Sequence, residues 1–343
     1  MGIDVPRVSA WLEGNVEGAV GPFSFELIAG GRSNLTFRVA DSAGHHWALR
    51  RPPVSHVLPT AHDMVREHTV ITALHPAGIP VPRTVGLCTD ESVNERAFYV
   101  MEFVEGHILR DAAAATKELG AEGRARAGTN LARTLAALHA VDPDDIGLGG
   151  LARHDGYIER QVRRWRGQYE QMKEGGIADG DVVAEVGALL ASSVPDQQRV
   201  SIVHGDYRLD NTVLNDDGEV TAILDWEICT LGDPLADIGM LCCYWADPGD
   251  ASVALVGQAP TLADGFERRA DVLAAYTEAS GLDTSGIAYY MAFGYWKLAC
   301  ILQGVYARYA AGATAGDTGS VASFPDHVVL LATTARELLG TLS

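Results

Sequence analysis

Two acidic side chains and one amide stand at spacings that suit phosphoryl transfer. Asp206 and Asn211 lie five residues apart, and Asp225 follows a segment that has the pattern of a β-hairpin. Phosphoryl transfer needs a carboxylate that accepts the proton of the attacking hydroxyl, and oxygen ligands that hold Mg²⁺ against a triphosphate. Each residue alone would favour a structural role, in an Asx turn or as a strand cap, but the joint pattern favours catalysis. We therefore predict Asp206 as the base and Asn211 and Asp225 as the metal ligands.

The elements around these residues must bring them together. The turn Asp216-Asp217-Gly218 between two apolar runs predicts a hairpin over 213–224. Alternating patterns and helical spacing predict the other elements. Strands are expected at 23–29, 35–40, 47–50 and 98–104, and helices at 62–74, 123–140, 156–172, 266–280 and 287–311. The sequence thus predicts an α+β chain with a small β-rich N-terminal lobe, residues 1–104, and a larger helical lobe, residues 105–343.

The catalytic segment resembles the signature of a known family. His204-Gly-Asp-x-x-x-x-Asn211, followed by an apolar residue and Asp225-Trp226, is similar to the aminoglycoside phosphotransferase and choline kinase family, the small-molecule relatives of protein kinases. The segment 231–238, Leu-Gly-Asp-Pro-Leu-Ala-Asp-Ile, extends the resemblance. It implies a bilobal protein-kinase-like fold that binds ATP between its lobes and transfers the γ-phosphate to a hydroxyl of a small molecule. ATP and Mg²⁺ are the implied cofactors.

The resemblance also implies phosphate-binding residues in the N-terminal lobe. Gly31, Ser33 and Asn34 lie between two predicted strands, where backbone N–H groups and a hydroxyl could cradle phosphates. An ordinary hairpin turn would have the same composition. These three residues are predicted to bind the nucleotide.

Arg50 occupies the place of the lysine that contacts the phosphates in protein kinases. Arginine keeps the charge but is longer and forms a bidentate fork, so the exchange departs from the usual pattern. Glu67, on the following predicted helix, is the expected partner of Arg50, although both could be simple surface charges. Arg51 faces the opposite side of the strand, because side chains alternate along it.

The segment 98–106 resembles the hinge strand of a kinase. Met101 would lie behind the adenine ring, and the backbone of Glu102 and Val104 would hydrogen-bond to its edge. A buried strand that ends in a glycine turn is an alternative reading, and both can hold together.

Three charged residues near Asp206 have implied roles as well. Arg208 stands where many kinases carry a lysine that contacts the transferred phosphoryl group, but it could instead pair with Asp210 or Asp237. Asp233 and Asp237 are expected to link the metal-binding loop to the catalytic loop. His204 is expected to be a hydrogen-bonded structural residue.

Composition excludes several other classes. The 343 residues carry 26 Lys and Arg against 45 Asp and Glu, for a net charge of -19. Such an acidic chain is unsuited to sequence-independent nucleic-acid binding, which needs a basic face. No apolar run reaches membrane-spanning length. The five cysteines include no C-x-x-C pair, and the N-terminus has no secretory pattern, so we expect reduced thiols in a cytoplasmic protein. No P-loop, G-x-S-x-G or H-E-x-x-H motif occurs, and no signal defines an oligomeric state.

Further segments resemble the kinase-like domains that are fused or adjacent to acyl-CoA dehydrogenases. They are residues 49–53, residues 224–234 and an arginine-rich helix that contains Trp165 and Tyr169. This resemblance implies a hydroxyacyl compound, or its CoA thioester, as the phosphate acceptor. An anionic acceptor would give the helix arginines a binding task; they are Arg160, Arg163, Arg164 and Arg166. A true aminoglycoside kinase and a nucleotide-binding pseudokinase that acts as an interaction module remain the alternatives.

Overall fold

The structure is a computed structural model that describes six segments of the chain: 2–29, 34–53, 63–172, 181–250, 259–310 and 323–342. The chain divides into two compact units. The first unit comprises residues 1–106, 146–148 and 221–229, and the second comprises 107–145, 149–220 and 230–343. Asp225 therefore belongs to the first unit, and Asp206 belongs to the second.

An antiparallel sheet of five strands forms the base of the first unit, in the order β1-β2-β3-β5-β4. The strands are β1 (Ser24–Ala29), β2 (Leu35–Ala40), β3 (His46–Arg51), β4 (Thr84–Cys88) and β5 (Phe98–Glu102). The helices of this unit are α1 (Val5–Asn15), α2 (Met64–Leu74) and α3 (Glu91–Asn94). Asp63 caps α2, since its side chain accepts a hydrogen bond from the N–H of Arg66.

One face of the sheet packs against α1 and forms a hydrophobic core. Phe37 and Val39 of β2 and Leu49 of β3 are buried together with Val8 and Leu12 of α1. Burial of each such side chain stabilises the fold by about 1.5–3 kcal/mol. Because side chains alternate along a strand, the intervening residues of β2 and β3 face the other side of the sheet.

The second unit is largely helical. Its helices are α4 (Ala112–Glu118), α5 (Ala121–Ala140), α6 (Tyr157–Met172), α7 (Val182–Ser192), α8 (Leu235–Tyr244), α9 (Arg269–Ser280), α10 (Ile287–Ala310) and α11 (Phe324–Gly340). Two short two-stranded sheets complete the described elements. They pair β6 (Ser201–Val203) with β9 (Thr230–Gly232), and β7 (Thr212–Leu214) with β8 (Val220–Ile223).

The observed elements confirm the predicted α+β class. The predicted long helices correspond to α5, α6, α9 and α10 to within three residues at each end, and the hairpin with its D-G turn is present. The strand expected over 98–104 is shorter, because it ends at Glu102. All five cysteines are free and buried, as expected. Within the described segments, no helix is both long and apolar enough to cross a membrane.

Candidate active site

Arg50 is the centre of a buried polar cluster on the sheet face opposite α1. Thr36, Arg50 and Tyr99 are direct neighbours across β2, β3 and β5. The guanidinium donates from Nε to Glu67 Oε2 at 2.9 Å, from Nη1 to Thr36 Oγ1 at 3.4 Å, and from Nη2 to Asp225 Oδ1. Burial alone would lower the pKa of Arg50, but the carboxylate of Glu67, with that of Asp225, raises it above its ordinary value. The cation is therefore permanent.

Glu67 fixes this cluster from α2. Its carboxylate is only 2% exposed and accepts hydrogen bonds from Tyr99 at 3.0 Å and from Asn34 Nδ2 at 2.8 Å. Burial raises the pKa of Glu67, and the negative charge of Asp225 raises it further, whereas Arg50 acts against both. The predicted pair of Arg50 and Glu67 is thus a buried ion pair and not two surface charges.

Asn34 is the only one of the three predicted loop residues within the described segments, since Gly31 and Ser33 lie outside them. Its Nδ2 contacts Glu67 and also Glu227 Oε2, at 3.3 Å. Its Oδ1 is buried and has no partner among the residues described. The amide therefore belongs to the carboxylate cluster, with one acceptor atom still available.

Asp225 has an unusual backbone conformation. Its φ is 64°, in the left-handed region that residues other than glycine seldom adopt. The next residue, Trp226, is buried and donates from Nε1 to the carbonyl of Ile223 at 3.0 Å, which anchors the segment. Strained backbone that the surroundings hold in place occurs often at functional sites. The strained backbone marks Asp225 as a candidate functional residue.

In the second unit, the carboxylate of Asp206 is held by one oxygen only. Asn211 donates from Nδ2 to Asp206 Oδ2 and to the Asp206 carbonyl, both at 2.9 Å. Arg208 Nε lies 3.3 Å from the same Oδ2, and the side chain is 30% exposed. Within the described part of the chain, Oδ1 has no hydrogen-bond partner. Asp206 is therefore fixed in orientation but keeps one oxygen available to accept a proton.

Asp237 holds the loop that carries Asp206. Its Oδ2 accepts the N–H of His204 at 2.6 Å, and its Oδ1 accepts the N–H of Gly205 at 2.8 Å. Burial alone would raise the pKa of Asp237, but the hydrogen bond with His139 lowers it below its ordinary value, with help from His204 and Gly205. Gly205 has a φ of 88°, which favours glycine at this turn. A buried anion thus positions the catalytic loop through backbone N–H groups.

His204 and Asp233 have structural contacts. His204 is fully buried, and its Nδ1 accepts the N–H of Asp206 at 3.2 Å, in agreement with the structural role expected for it. Contrary to the expectation, Asp233 makes no hydrogen bond to the catalytic loop among the described residues. It accepts hydrogen bonds from Tyr290 and from the N–H of Leu235, and so links α8 to α10.

Arg208 pairs with neighbouring acids. Its Nη2 lies 2.9 Å from Asp210 Oδ2, and its guanidinium lies over the ring of Tyr244, 4.6 Å from the centroid. Burial raises the pKa of Asp210, and the positive charge of Arg208 opposes this. Of the two pairings that the sequence left open, the structure has the one with Asp210.

Lys297 is a residue that the sequence reasoning missed. It lies on α10, and its Nζ donates to the carbonyl of Gly205 at 3.2 Å, next to Asp206. Burial lowers the pKa of Lys297 and the positive charge of Arg164 adds to this, while Asp206 and Asp237 oppose it. The sequence does contain an indication of this residue, because Lys297 is the one charged residue in the apolar stretch 287–306.

The hinge residues lie on or just after β5. Met101 is buried and opposite Ala48 of β3. The Glu102 N–H donates to the carbonyl of Arg83 at 2.9 Å, and the two side chains form an ion pair at 2.7 Å. Val104 follows two residues after the strand ends. The N–H of Glu102 is therefore already engaged within the first unit.

The oxygen atoms available suit a hard divalent cation. Both side-chain hydrogen bonds of Asn211 use Nδ2, so its Oδ1 remains for another partner. Asp225, in the first unit, has a partly exposed carboxylate. Carboxylate and amide oxygens are the ligands that Mg²⁺ takes. Across the described ranges, however, no three or more His, Cys, Asp or Glu side chains group to hold a metal on their own.

The fold is a kinase-like α+β fold. It consists of a five-stranded antiparallel sheet that carries the Arg50–Glu67 pair, and of a largely helical remainder that holds the His204-Gly-Asp loop. Residues 24–278 match the family described as "Phosphotransferase enzyme family", and the chain belongs to this family. The family is one of phosphotransferase enzymes.

Two relatives that are both named acyl-CoA dehydrogenase family members are similar to this chain. The chain is 34% identical to acyl-CoA dehydrogenase family member 11 of Gallus gallus over 338 residues, which cover 97% of this chain and 42% of that protein. It is 33% identical to family member 10 of Mus musculus, over 88% of this chain and 28% of that protein. The chain thus spans less than half the length of these relatives.

Solved structures share the fold. A candidate aminoglycoside phosphotransferase from Ralstonia eutropha is 31% identical, with a TM-score of 0.82 over 98% of both chains. The choline kinase of Cryptosporidium parvum has a TM-score of 0.66 over 99% of this chain and 96% of its own, at 11% identity. The second likeness shows the fold alone.

Proposed function

We propose that this chain transfers the γ-phosphate of Mg-ATP to a hydroxyl of a hydroxyacyl compound or of its CoA thioester. The observation that carries the proposal is the environment of Asp206. One carboxylate oxygen is anchored by Asn211, and the other is available in a partly exposed position. A general base must be held in orientation while one of its lone pairs remains free for the proton that it takes.

In the proposed reaction, Asp206 accepts the proton of the acceptor hydroxyl as the new bond to phosphorus forms. The bond between the γ-phosphorus and the bridging oxygen breaks, and ADP leaves with those electrons. Arg208 is the cation nearest to Asp206, and we assign it to the negative charge on the transferred group. Its contacts with Asp206 and Asp210 hold it at that place.

The nucleotide would be held mainly by the first unit. Arg50, fixed by Glu67, would contact the phosphates, with the loop residues Gly31, Ser33 and Asn34. The adenine would lie against the hinge residues Met101, Glu102 and Val104. A spectinomycin phosphotransferase of the same fold, with a TM-score of 0.61 and 12% identity, was solved with ADP, which supports ATP as the donor here.

Asn211 and Asp225 are the proposed ligands of Mg²⁺. When bound, the ion neutralises charge on the β- and γ-phosphates. Asn211 is already oriented by its bonds to Asp206, and Asp225 is held by Arg50 and by the anchored Trp226.

The charges near Asp206 favour an anionic acceptor. Lys297 contacts the backbone next to Asp206, and Arg164 of α6 is close enough to affect its protonation. Three more arginines lie on the same helix; they are Arg160, Arg163 and Arg166. A carboxylate or a CoA phosphate would be attracted here, whereas a polycation would be repelled. The names of the relatives also designate enzymes of acyl-CoA.

An aminoglycoside acceptor is the second candidate. The Ralstonia eutropha protein, which is similar over 98% of both chains, is described as a candidate aminoglycoside phosphotransferase. The two candidates make opposite demands on the charge near Asp206, so one assay can separate them.

The experiment is a coupled ADP-release assay with hydroxyacyl-CoAs, free hydroxy acids and kanamycin-type compounds. We expect turnover of the acyl compounds and little turnover of the aminoglycosides. Lys297→Met should raise the KM for the acyl substrate, while Lys117→Met, the same change at an exposed position of α4, should leave it unchanged. Efficient turnover of aminoglycosides alone would refute the acceptor class. Binding of ATP with no turnover of any hydroxyl compound would favour the pseudokinase.

A further inference from the structure

A cavity of about 280 Å³ lies in the first unit, away from the residues discussed above. It is lined by the start of α1, the end of β3 and the end of α3. Its β3 residue is Arg51, which faces the side of the sheet opposite Arg50 because side chains alternate along the strand. The cavity is therefore on the α1 side of the sheet, separate from the Arg50 cluster.

Arg51 brings a buried charge to this cavity without an ion-pair partner. The residue is only 3% exposed, and its side chain makes one hydrogen bond, from Nε to the carbonyl of Pro52 at 3.1 Å. No carboxylate of the described segments lies within 4.0 Å of the guanidinium. Burial lowers the pKa of Arg51. Buried charges in proteins are normally paired, whereas the terminal N–H groups of Arg51 make no hydrogen bond to a residue of the described segments.

Asn94 adds a second unused donor. It is also 3% exposed, and its Oδ1 accepts the N–H of Asp4 at 2.9 Å, which fixes the orientation of the amide. Its Nδ2 is buried and has no partner among the residues that the structure describes. An unmade hydrogen bond at a buried donor costs about 1–3 kcal/mol. The cavity is thus lined by a cation that has no ion-pair partner in the described segments and by a buried amide donor that has no hydrogen-bond partner there.

Only acidic side chains could compete for these donors from within the lining. Asp4 is already engaged, because its carboxylate caps α1 and lies 3.6 Å from Arg7 Nε. Glu95 is exposed, and its charge favours the protonated state of Arg51, but it is not within ion-pair distance. Glu95 is therefore the one internal rival to an external ligand.

We propose that this cavity binds a small oxyanion, a carboxylate or phosphate group, between Arg51 and Asn94. Such a group has only acceptors, so it complements the terminal N–H groups of Arg51 and the N–H₂ of Asn94. Hydrogen bonds of this kind, with a charged donor and a charged acceptor, are roughly twice as strong as neutral ones. The site is independent of the proposed kinase reaction.

The test uses the full chain and isothermal titration calorimetry, with inorganic phosphate in one arm and malonate in the other, at constant ionic strength set by chloride. We expect saturable binding of at least one of them. Asn94→Asp keeps the oxygen that accepts the Asp4 N–H but replaces the donor by a negative oxygen. It should weaken binding by about tenfold or more. Glu95→Gln removes the rival carboxylate and should strengthen binding, while Glu91→Gln, an exposed change on the same helix, should have no effect.

The outcomes separate the explanations. Binding of phosphate alone or malonate alone supports the site and identifies its ligand chemistry. The proposal is overturned when neither anion binds at millimolar concentration, or when Asn94→Asp and Glu95→Gln both leave the affinity unchanged. A loss of stability in Glu95→Gln without any gain in affinity would show that Arg51 pairs with Glu95 instead. Should Asn94→Asp fail to fold, the exposed Glu95→Gln variant still decides between these results.

Discussion

The two charged clusters that carry the proposed roles are built in opposite ways. In the first unit a cation, Arg50, lies at the centre, and the carboxylates of Glu67 and Asp225 surround it. In the second unit an anion, Asp237, lies at the centre and binds backbone N–H groups of the catalytic loop. The first cluster consists of the proposed functional groups themselves. The second cluster does not contain the proposed base but holds the loop that carries it.

This difference predicts how each cluster responds to substitution. In the second unit, chemistry and positioning belong to different residues, Asp206 and Asp237, so they can be removed separately. In the first unit, Arg50 and Asp225 bind each other and are both proposed to bind substrate groups. A change at either one should therefore alter both local stability and nucleotide binding.

The largest effect is expected from Asp206→Asn. The variant keeps an oxygen that can accept the hydrogen bond of Asn211, so the loop should stay in place. It loses the base, and kcat should fall by roughly a thousandfold, while ATP affinity stays within a few-fold. Steady-state kinetics and nucleotide titration measure the two quantities. Retention of most of the kcat would show that Asp206 is not the base.

Asp237→Asn should affect stability instead. The amide of asparagine has one oxygen where the carboxylate has two. The backbone N–H of either His204 or Gly205 therefore loses its acceptor in the buried surroundings of Asp237. We expect a loss of about 3 kcal/mol in the free energy of unfolding, or roughly a hundredfold in the folding equilibrium. Denaturant unfolding measures this loss, and Asp264→Asn, at an exposed position, is the control.

The same variant has a defined pH dependence. Because the pKa of Asp237 is lowered in the folded state, its contribution to stability is present above its ordinary pKa of 3.8 and is lost as the pH falls below that value. The difference between wild type and Asp237→Asn should therefore be constant near neutral pH and shrink in acid. A difference that grows in acid would contradict the role of the ionised carboxylate.

Much of the candidate site could be predicted from the sequence, because its residues are close in the chain or follow a strand register. Asp206 and Asn211 lie on one loop, and they do contact each other. Arg50 and Glu67 lie on adjacent elements, and their pair is present. The alternation along β3 also placed Arg51 on the other face.

The remainder depends on tertiary packing that no local pattern contains. The first nine residues of α8, Leu235–Cys243, are all buried, so this helix has no polar face that would reveal its period. Lys297 reaches Gly205 from a helix that lies 92 residues further along the chain. Likewise, His139 meets Asp237 only because α5 packs near the catalytic loop.

Asp225→Ala should have an effect of intermediate size, on nucleotide binding. Loss of a metal ligand should reduce ATP affinity in the presence of Mg²⁺ by roughly thirtyfold, with little change in its absence. The substitution also removes one partner of Arg50, so a moderate loss of stability should accompany it. Titrations of ATP with and without Mg²⁺ test this. An unchanged response to Mg²⁺ would exclude Asp225 as a ligand.

The smallest effect is expected from Arg50→Lys, and its comparison with Arg50→Ala tests the first cluster directly. Lysine keeps a positive charge between Glu67 and Asp225 but loses the guanidinium fork, which also contacts Thr36. Because charge near the phosphates is the main requirement, activity should fall only several-fold. Alanine leaves two carboxylates facing each other without a cation.

The pKa of Glu67 is already raised by burial and by Asp225, and loss of Arg50 should raise it further. A folded state that binds more protons than the unfolded state loses stability as the pH rises. Arg50→Ala should therefore become less stable than wild type as the pH rises above the ordinary Glu pKa of 4.5, and Arg50→Lys should not. Unfolding at pH 5 and pH 8, together with the kcat and the KM for ATP, measures both consequences. Equal activities and equal pH profiles for wild type, Lys and Ala would show that the charge of Arg50 neither holds the carboxylates together nor contacts the phosphates.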